Sequence, residues 1–256
     1  MKLNLKNKTV LITGAGRGIG KDCCIKFLRE GANVVAVTRK KNLEIKNIKY
    51  NNNMPIFIYN DLQKKNAIKK LVKILKLKKI YPDIIVNNIG GTLDFNDPIL
   101  HIKYWNRVLH FNLNIAVELN YYFLPYMIKK NWGRICHVSS IAGLENQGPP
   151  SYCAAKAALN AYVRSVGRYV SKNNVIMTSI MPGAIFTKDG YWDIKKRKDP
   201  KGYNKYINER MAIKRIGKEN EISELILILC SEISSFCAGT NLLVDGGQGR
   251  VFQNNY

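Results

Sequence analysis

Tyr152 and Lys156 lie at the start of a segment, 151–171, whose pattern reads as a helix, so both side chains fall on one face a single turn apart. A phenol with an ordinary pKa of about 10 is a poor acid–base group at neutral pH, and a neighbouring ammonium lowers that pKa by favouring the phenolate. Upstream, Ser139-Ser140-Ile141-Ala142-Gly143 follows an apolar run. A hydroxyl there can bond a substrate oxygen on which charge develops. These residue types suit proton transfer at a carbonyl or alcohol oxygen. The Tyr-x-x-x-Lys spacing recurs by chance in many helices, so its meaning rests on what accompanies it.

A second group of residues suits a phosphate. Thr13-Gly14-Ala15-Gly16-Arg17-Gly18-Ile19-Gly20 follows the apolar run Thr9 to Thr13 and leads into a helical pattern over 17–30. A glycine turn between strand and helix lets the backbone approach a pyrophosphate, which then sits among the unpaired N–H groups of the helix N-terminus. Gly14, Gly18 and Gly20 give one spacing and Gly16 allows another, neither being the common G-x-G-x-x-G fingerprint. The next apolar run ends Val37-Thr38-Arg39-Lys40, without the carboxylate that usually binds a ribose 2′-hydroxyl. Arg39, with Arg17 from the turn and the Thr38 hydroxyl, instead suits a 2′-phosphate. The expected cofactor is therefore NADP(H) ahead of NAD(H).

The elements that must hold these residues alternate along the chain. Short apolar runs occur at 9–13, 34–37, 56–59, 84–86, 135–138, 175–180 and 242–244, continuous as in strands buried on both faces of a parallel sheet. Between them lie helical patterns at 17–30, 64–79, 102–130, 151–171 and 220–231, with Pro125 the expected bend in the longest. In 64–79, Ile68, Leu71, Val72 and Leu75 form an apolar stripe opposite Lys65, Lys69, Lys73 and Lys76. The expected fold is α/β: one Rossmann-type domain over 1–256, a doubly wound parallel sheet of about seven strands with helices on both faces.

The chain has 256 residues, enough for a core without a metal or disulfide staple. Its six cysteines show no CxxC and no metal-ligand spacing, and no apolar run approaches the ~18 residues of a membrane span. The expectation is a reduced, cytoplasmic protein with no metal and no membrane partner. Lys and Arg number 41 against 18 Asp and Glu, a formal charge of +23. These charges are scattered, the densest run being Lys195-Lys196-Arg197-Lys198, and no nucleic-acid motif accompanies them. The reading favours a solvated surface over nucleic-acid binding.

Taken together, the chain resembles the short-chain dehydrogenase/reductase family, single-domain branch of about 250 residues, over essentially its whole length. The likeness rests on the glycine turn 13–20, Asn60-Asp61-Leu62, Asn87-Asn88-Ile89-Gly90, Phe111-Asn112-Leu113, Ser140, Tyr152-x-x-x-Lys156, Pro182-Gly183 and Val244-Asp245-Gly246-Gly247. It implies a tetrad of Asn112, Ser140, Tyr152 and Lys156. Tyr152 would give the carbonyl oxygen a proton while hydride reaches carbon, and Ser140 would polarise that carbonyl. Lys156 would bind the nicotinamide ribose and lower the Tyr152 pKa. Asn112 would hold a water linking Lys156 to solvent. Ser140 is preferred to Ser139 because it immediately precedes the Ile-Ala-Gly turn, which leaves Ser139 facing the structure beneath. The resemblance also implies cofactor contacts from Gly14, Arg17, Gly18, Ile19, Gly20, Thr38, Arg39, Asp61, Leu62, Asn88 and Gly90. Pro182, Gly183, Ile185 and Thr187 would cover the nicotinamide. Ile89 departs from the small alanine usual in the family and places extra volume beside the cofactor.

The segment 187–215 is where the family carries a mobile substrate lid. Here it mixes Tyr191, Trp192, Tyr203 and Tyr206 with several cations, which suits a polar carbonyl or alcohol such as a sugar derivative. An alternative is a 3-oxoacyl-[acyl-carrier-protein] reductase, its acidic carrier docking on Lys129, Lys130 and Lys172. An alternative of another class is a non-catalytic cofactor-sensing or nucleic-acid-binding module, against which the intact tetrad argues. The family likeness implies a homotetramer or dimer, with the tail from Gln248 to Tyr256 reaching a neighbouring subunit.

Overall fold

The computed structural model describes residues 2–41, 50 and 52–250. Seven parallel strands form one sheet: β1 (Thr9–Thr13), β2 (Asn33–Thr38), β3 (Ile56–Tyr59), β4 (Ile84–Asn87), β5 (Gly133–Val138), β6 (Val175–Pro182) and, at the far edge, the last strand of the chain (Asn241–Val244). Their spatial order is β3-β2-β1-β4-β5-β6 and then that last strand. The order reverses beside β1, where the crossovers diverge and open a crevice at the strands' C-terminal ends.

Each apolar run expected as a strand is one, and the reason is visible residue by residue. Along β1, Val10 and Ile12 enter one core cluster while Leu11 enters the other. Along β5, Cys136 and Val138 face the first side and Ile135 the second. A strand buried on both faces has no polar side to show, so its sequence is continuously apolar. The first face is covered by α1 (Gly18–Arg29), through Cys23, Cys24 and Phe27, and by a helix at Glu219–Leu229, through Ile222 and Ile226. The second is covered by α2 (Ala67–Leu77), by a helix at Ile115–Lys130 and by one at Pro150–Val170. On α2 the four apolar stripe residues are buried and Lys65, Lys69, Lys73 and Lys76 are exposed, as the periodicity requires.

The expected long helix over 102–130 is not continuous. It divides into α3 (Ile102–Leu109), a wide π-type turn at His110–Asn114, and α4 (Ile115–Lys130), which runs on through Pro125. The irregularity thus falls at Asn112 and not at the proline, in keeping with the tendency of such turns to mark functional positions. Next comes α5 (Pro150–Val170), where Pro150 occupies the first turn and costs no hydrogen bond.

Segment 187–215 folds into two helices, α6 (Tyr191–Lys198) and α7 (Pro200–Arg210), with Asp199 capping α7 by accepting from the Gly202 N–H at 2.8 Å. It is bracketed by β7 (Ile185–Phe186), which pairs in parallel with β8 (Gly217–Lys218) ahead of α8 (Glu219–Leu229) and β9 (Asn241–Val244). Beneath it, buried Ala184, Met211 and Ile216 pack with Trp192, Tyr203 and Tyr206 in a small cluster of their own. Among the described residues no helix is long and apolar enough to cross a membrane, and no three metal-ligating side chains converge.

Candidate active site

A cleft of about 880 Å³ lies along the C-terminal ends of the strands. Its floor begins at the glycine turn. Gly14 and Gly18 have φ of +65° and +60°, a left-handed backbone that a side chain would strain. Gly20 serves differently, because a Cβ there would stand 2.5 Å from both Asn88 Nδ2 and the Gly14 carbonyl. Its lack of a side chain lets α1 press against the β1 and β4 loops. These three positions settle the spacing left open in the sequence, and Gly16 lines the cleft without needing positive φ. Arg17, the residue before α1, makes no side-chain cap, so the first-turn N–H groups of α1 are left for an anion. Ile19, Asn88, Ile89 and Gly90 continue the lining. Asn88 is held by its Nδ2, which donates to the carbonyls of Thr13 and Gly14 at 3.2 and 3.1 Å. Ile89 is accommodated by packing into the second core cluster and against Gly14.

At one end Thr38, Arg39, Lys40, Asp61 and Leu62 line the cleft. Arg39 and Lys40 are exposed there, with no carboxylate on the same strand end. Thr38 is mostly buried and turns its hydroxyl to the Lys40 carbonyl at 3.4 Å. Asp61 accepts from the Gln63 N–H, and Leu62 belongs chiefly to the core. Arg17 reaches the other way, donating to the Asp189 carbonyl at 3.1 Å, and so links the glycine turn to the lid segment. This cleft fits a dinucleotide: two left-handed glycines at a helix N-terminus, cations at one end, and acid–base groups at the other.

At that other end stand Ser140, Tyr152 and Lys156. Ser140 caps a short 3₁₀ turn, Ile141–Gly143, accepting from the Ala142 N–H at 3.1 Å. Tyr152 stands with it in the cleft lining, where burial pushes the phenol pKa up and nearby Ser140 draws it down more weakly. Lys156 is 2% exposed and donates to the Val138 carbonyl at 2.9 Å. Burial brings its pKa down to about 7. The expected lowering of the Tyr152 pKa by Lys156 is absent here: the net direction is upward, and the lowering influence is Ser140. Lys156 Nζ lies 5.7 Å from the Tyr152 ring centroid, turned to the backbone instead. Ser139 faces inward as expected, its hydroxyl directed to the Lys156 carbonyl at 3.4 Å.

Asn112 does not line the cleft. It sits behind Gly90 and Gly91, where Nδ2 donates to the Gly91 and Val108 carbonyls and Oδ1 accepts from the Gly91 N–H, all at 2.9 Å. A Cβ on Gly90 would be 2.8 Å from both Asn112 Oδ1 and Lys156 Nζ, so Asn112, Gly90 and Lys156 form one close-packed group. Both Nδ2 protons are thus committed to backbone carbonyls, and Oδ1 accepts one backbone N–H. Pro182, Gly183, Ile185 and Thr187 lie across the cleft, and Thr187 packs against Gly18. Tyr191 and Trp192 close the lining from the lid segment.

Several residues of this region carried no signal in the sequence. His137, hidden in an apolar run, is fully buried with its Nε2 3.2 Å from Asn120 Nδ2. Asn120 also bonds Asn87 and Tyr162. Burial, and then the Lys156 charge, drive the His137 pKa down to about 3. Gln147 and Gln248 meet beside the lid segment. Gln248, Gly249 and Arg250 fold back on their own chain; residues 251–256 lie outside the described residues.

Comparison with known proteins agrees with this geometry. A model of the short chain dehydrogenase family matches residues 8–192, and the chain belongs to that family of oxidoreductases. A 3-oxoacyl-[acyl-carrier-protein] reductase from Buchnera aphidicola subsp. Schizaphis graminum is 30% identical over 247 residues, covering 96% of this chain and 98% of its own. The crystal structure of L-sorbose reductase from Gluconobacter frateurii with NADPH and L-sorbose has a TM-score of 0.89 and 27% identity, over 98% of this chain and all of that one. A 4-hydroxyisoleucine dehydrogenase complexed with NADH has a TM-score of 0.86 and 27% identity, over 95% of this chain and 100% of that chain.

Proposed function

We propose that the protein is an NADP(H)-dependent oxidoreductase that interconverts a carbonyl and a secondary alcohol on a polar small molecule, such as a sugar derivative. The observation that carries this reading is the meeting of Ser140, Tyr152 and buried Lys156 in one cleft whose floor is the glycine turn. The first turn of α1 and Gly14 hold the pyrophosphate, Asp61 the adenosine side, and Lys156 the nicotinamide ribose. When bound, the cofactor supplies or takes up the hydride at the substrate carbon. In reduction Tyr152 donates its proton to the carbonyl oxygen, and Ser140 holds that oxygen as charge builds on it. Lys156, with a pKa of about 7 in the free protein, exchanges protons readily near neutrality and restores the Tyr152 proton. Asn112 pins Gly91 and so holds the Gly90–Gly91 backbone close beside Lys156.

Preference for the 2′-phosphate rests on Arg39 and Lys40 at the end of β2, where a carboxylate is missing. Titration with NADPH and NADH should favour NADPH at least tenfold, about 1.4 kcal/mol. Arg39→Ala should erase most of that difference, and equal affinities in the parent protein would defeat it. Tyr152→Phe should cut turnover by about a thousandfold or more while leaving NADPH affinity within about twofold. Loss of NADPH binding in that variant would make the tyrosine structural and overturn the assignment.

A second reading, reduction of a 3-oxoacyl group on an acyl carrier protein, is favoured by the Buchnera relative. Against it, Lys129 and Lys130 end α4 just before β5 begins, and Lys172 precedes β6, all at the N-terminal ends of the strands, opposite the cleft. Lys130 is also bonded to Asp83. Turnover of carrier-bound against free 3-oxoacyl substrates separates the readings. For the homo-oligomer expected of the family, exposed Tyr121 on α4 and Tyr169 on α5 offer apolar area on the outer face.

A further inference from the structure

Gln248 is 3% exposed, though it follows the last strand and lies in a polar stretch. Gly246 and Gly247, with φ of +63° and +72°, turn the chain back and place its carboxamide where three segments meet. Its Oε1 accepts from the Ala184 N–H at 2.7 Å, in the stretch after Pro182-Gly183. Its Nε2 donates to the Tyr206 hydroxyl at 2.8 Å, on α7, and to Gln147 Oε1. A Cβ on Gly183 would come within 2.6 Å of Oε1, so that glycine makes room for the contact.

The tie continues on both sides. Gln147 Nε2 donates to Glu145 Oε2 at 2.6 Å, and Glu145 in turn accepts from the Arg250 N–H. The Arg250 guanidinium reaches the Glu209 carbonyl on α7 at 2.8 Å. Gly148, next to Gln147, packs on the Tyr152 ring: a Cβ there would be 3.2 Å from Tyr152 Cδ1. A buried amide that satisfies both its acceptor and its donors fixes its partners, since leaving any of them unpaired costs a desolvated polar group.

We infer that Gln248 is a positioning residue for the carbonyl-reducing site, holding α7, the Ala184 stretch and the Glu145–Gly148 loop in one arrangement around Tyr152. This rests on the function proposed above. It acts through its partners and touches no reacting atom, so its loss should show in substrate handling more than in cofactor affinity.

The test compares the parent protein with Gln248→Met, which keeps the volume and removes the polar contacts. Gln248→Glu keeps the Ala184 acceptor and can take the Tyr206 proton. Five quantities are read: NADPH affinity, kcat and KM for a reducible sugar carbonyl, the rate of tryptic cleavage at the lysines and arginines of α6 and α7, and the melting temperature. Gln248→Met should raise KM by about tenfold and speed that cleavage by about fivefold, with NADPH affinity within about twofold. Gln248→Glu should recover much of both losses, and Tyr206→Phe should show a weaker form of them. Unchanged KM and cleavage in Gln248→Met overturn the inference, as does a loss confined to melting temperature. Cleavage needs no substrate, so failure of the proposed reaction leaves the positioning role independently tested. If Gln248→Met fails to fold, parent-like KM and cleavage in Tyr206→Phe overturn it.

Discussion

The glycine-turn framework and the lid segment line the same cleft but are built on different principles. The framework is held by packing: strands covered on both faces, and α1 so close to its neighbours that Gly20 has no room for one carbon. Within the lid segment only Met211 is buried, packing with Ala184 and Ile216 beneath, and the segment otherwise depends on side-chain ties: Arg17 to Asp189, Arg215 to Glu221, Gln248 to Tyr206. Close packing specifies one position and resists displacement. Individual polar ties contribute little net stability each and break one at a time. On the proposed function, the part that would grip the cofactor is therefore the rigid part, and the part that would lie over the substrate is the adjustable one.

This contrast can be broken most sharply at Gly20. Gly20→Val should cost about 3 kcal/mol, the upper end for overpacking, and abolish NADPH binding with it. A variant with the parent's urea midpoint would show that α1 can shift, against the view of the framework as rigid. The next largest effect is one of pH. His137 is neutral in the folded chain, with its pKa at about 3, whereas an unfolded chain takes up that proton near pH 6.5. Between those values the unfolded state binds more protons, so stability falls as pH drops, by at most about 1.4 kcal/mol per pH unit. Urea midpoints at stepped pH should show the slope, and His137→Asn should flatten it. An unaltered slope would place the acid sensitivity elsewhere. The smallest stability effect belongs to the lid segment. Trp192→Ala should raise KM by about tenfold while lowering the melting temperature by only about 2–4 °C. A fall as large as that of a core aromatic would mean that the segment melts as part of the framework.

The two regions also differed in how far the sequence disclosed them. The seven strands were legible because burial on both faces leaves continuous apolar runs, and the glycine turn because its φ angles demand glycine. Tyr152 and Lys156 were legible because their spacing is local. The aromatic content of 187–215 was legible too, but not its two helices, whose polar sequences show little apolar periodicity. Gln248 left no trace: its partners Gln147, Ala184 and Tyr206 lie 101, 64 and 42 residues away. A glutamine in a polar stretch reads as surface until the fold encloses it. His137 was concealed in the opposite way, by apolar neighbours that made it look like part of an ordinary strand. The π-type turn at Asn112 is likewise invisible in the sequence, because His110–Asn114 carries no proline or glycine to mark it, whereas Pro125 is absorbed into α4.

The backward turn at Gly246 and Gly247 also sets an order in time. Ribosomal synthesis makes Gln248 after the glycine turn, Tyr152, both lid helices and the edge strand. Most of the molecule can settle into place before the amide that fastens its movable parts exists. On the proposed function, the nascent chain carries the residues that would hold the nicotinamide cofactor before it carries the amide that would fasten the lid segment.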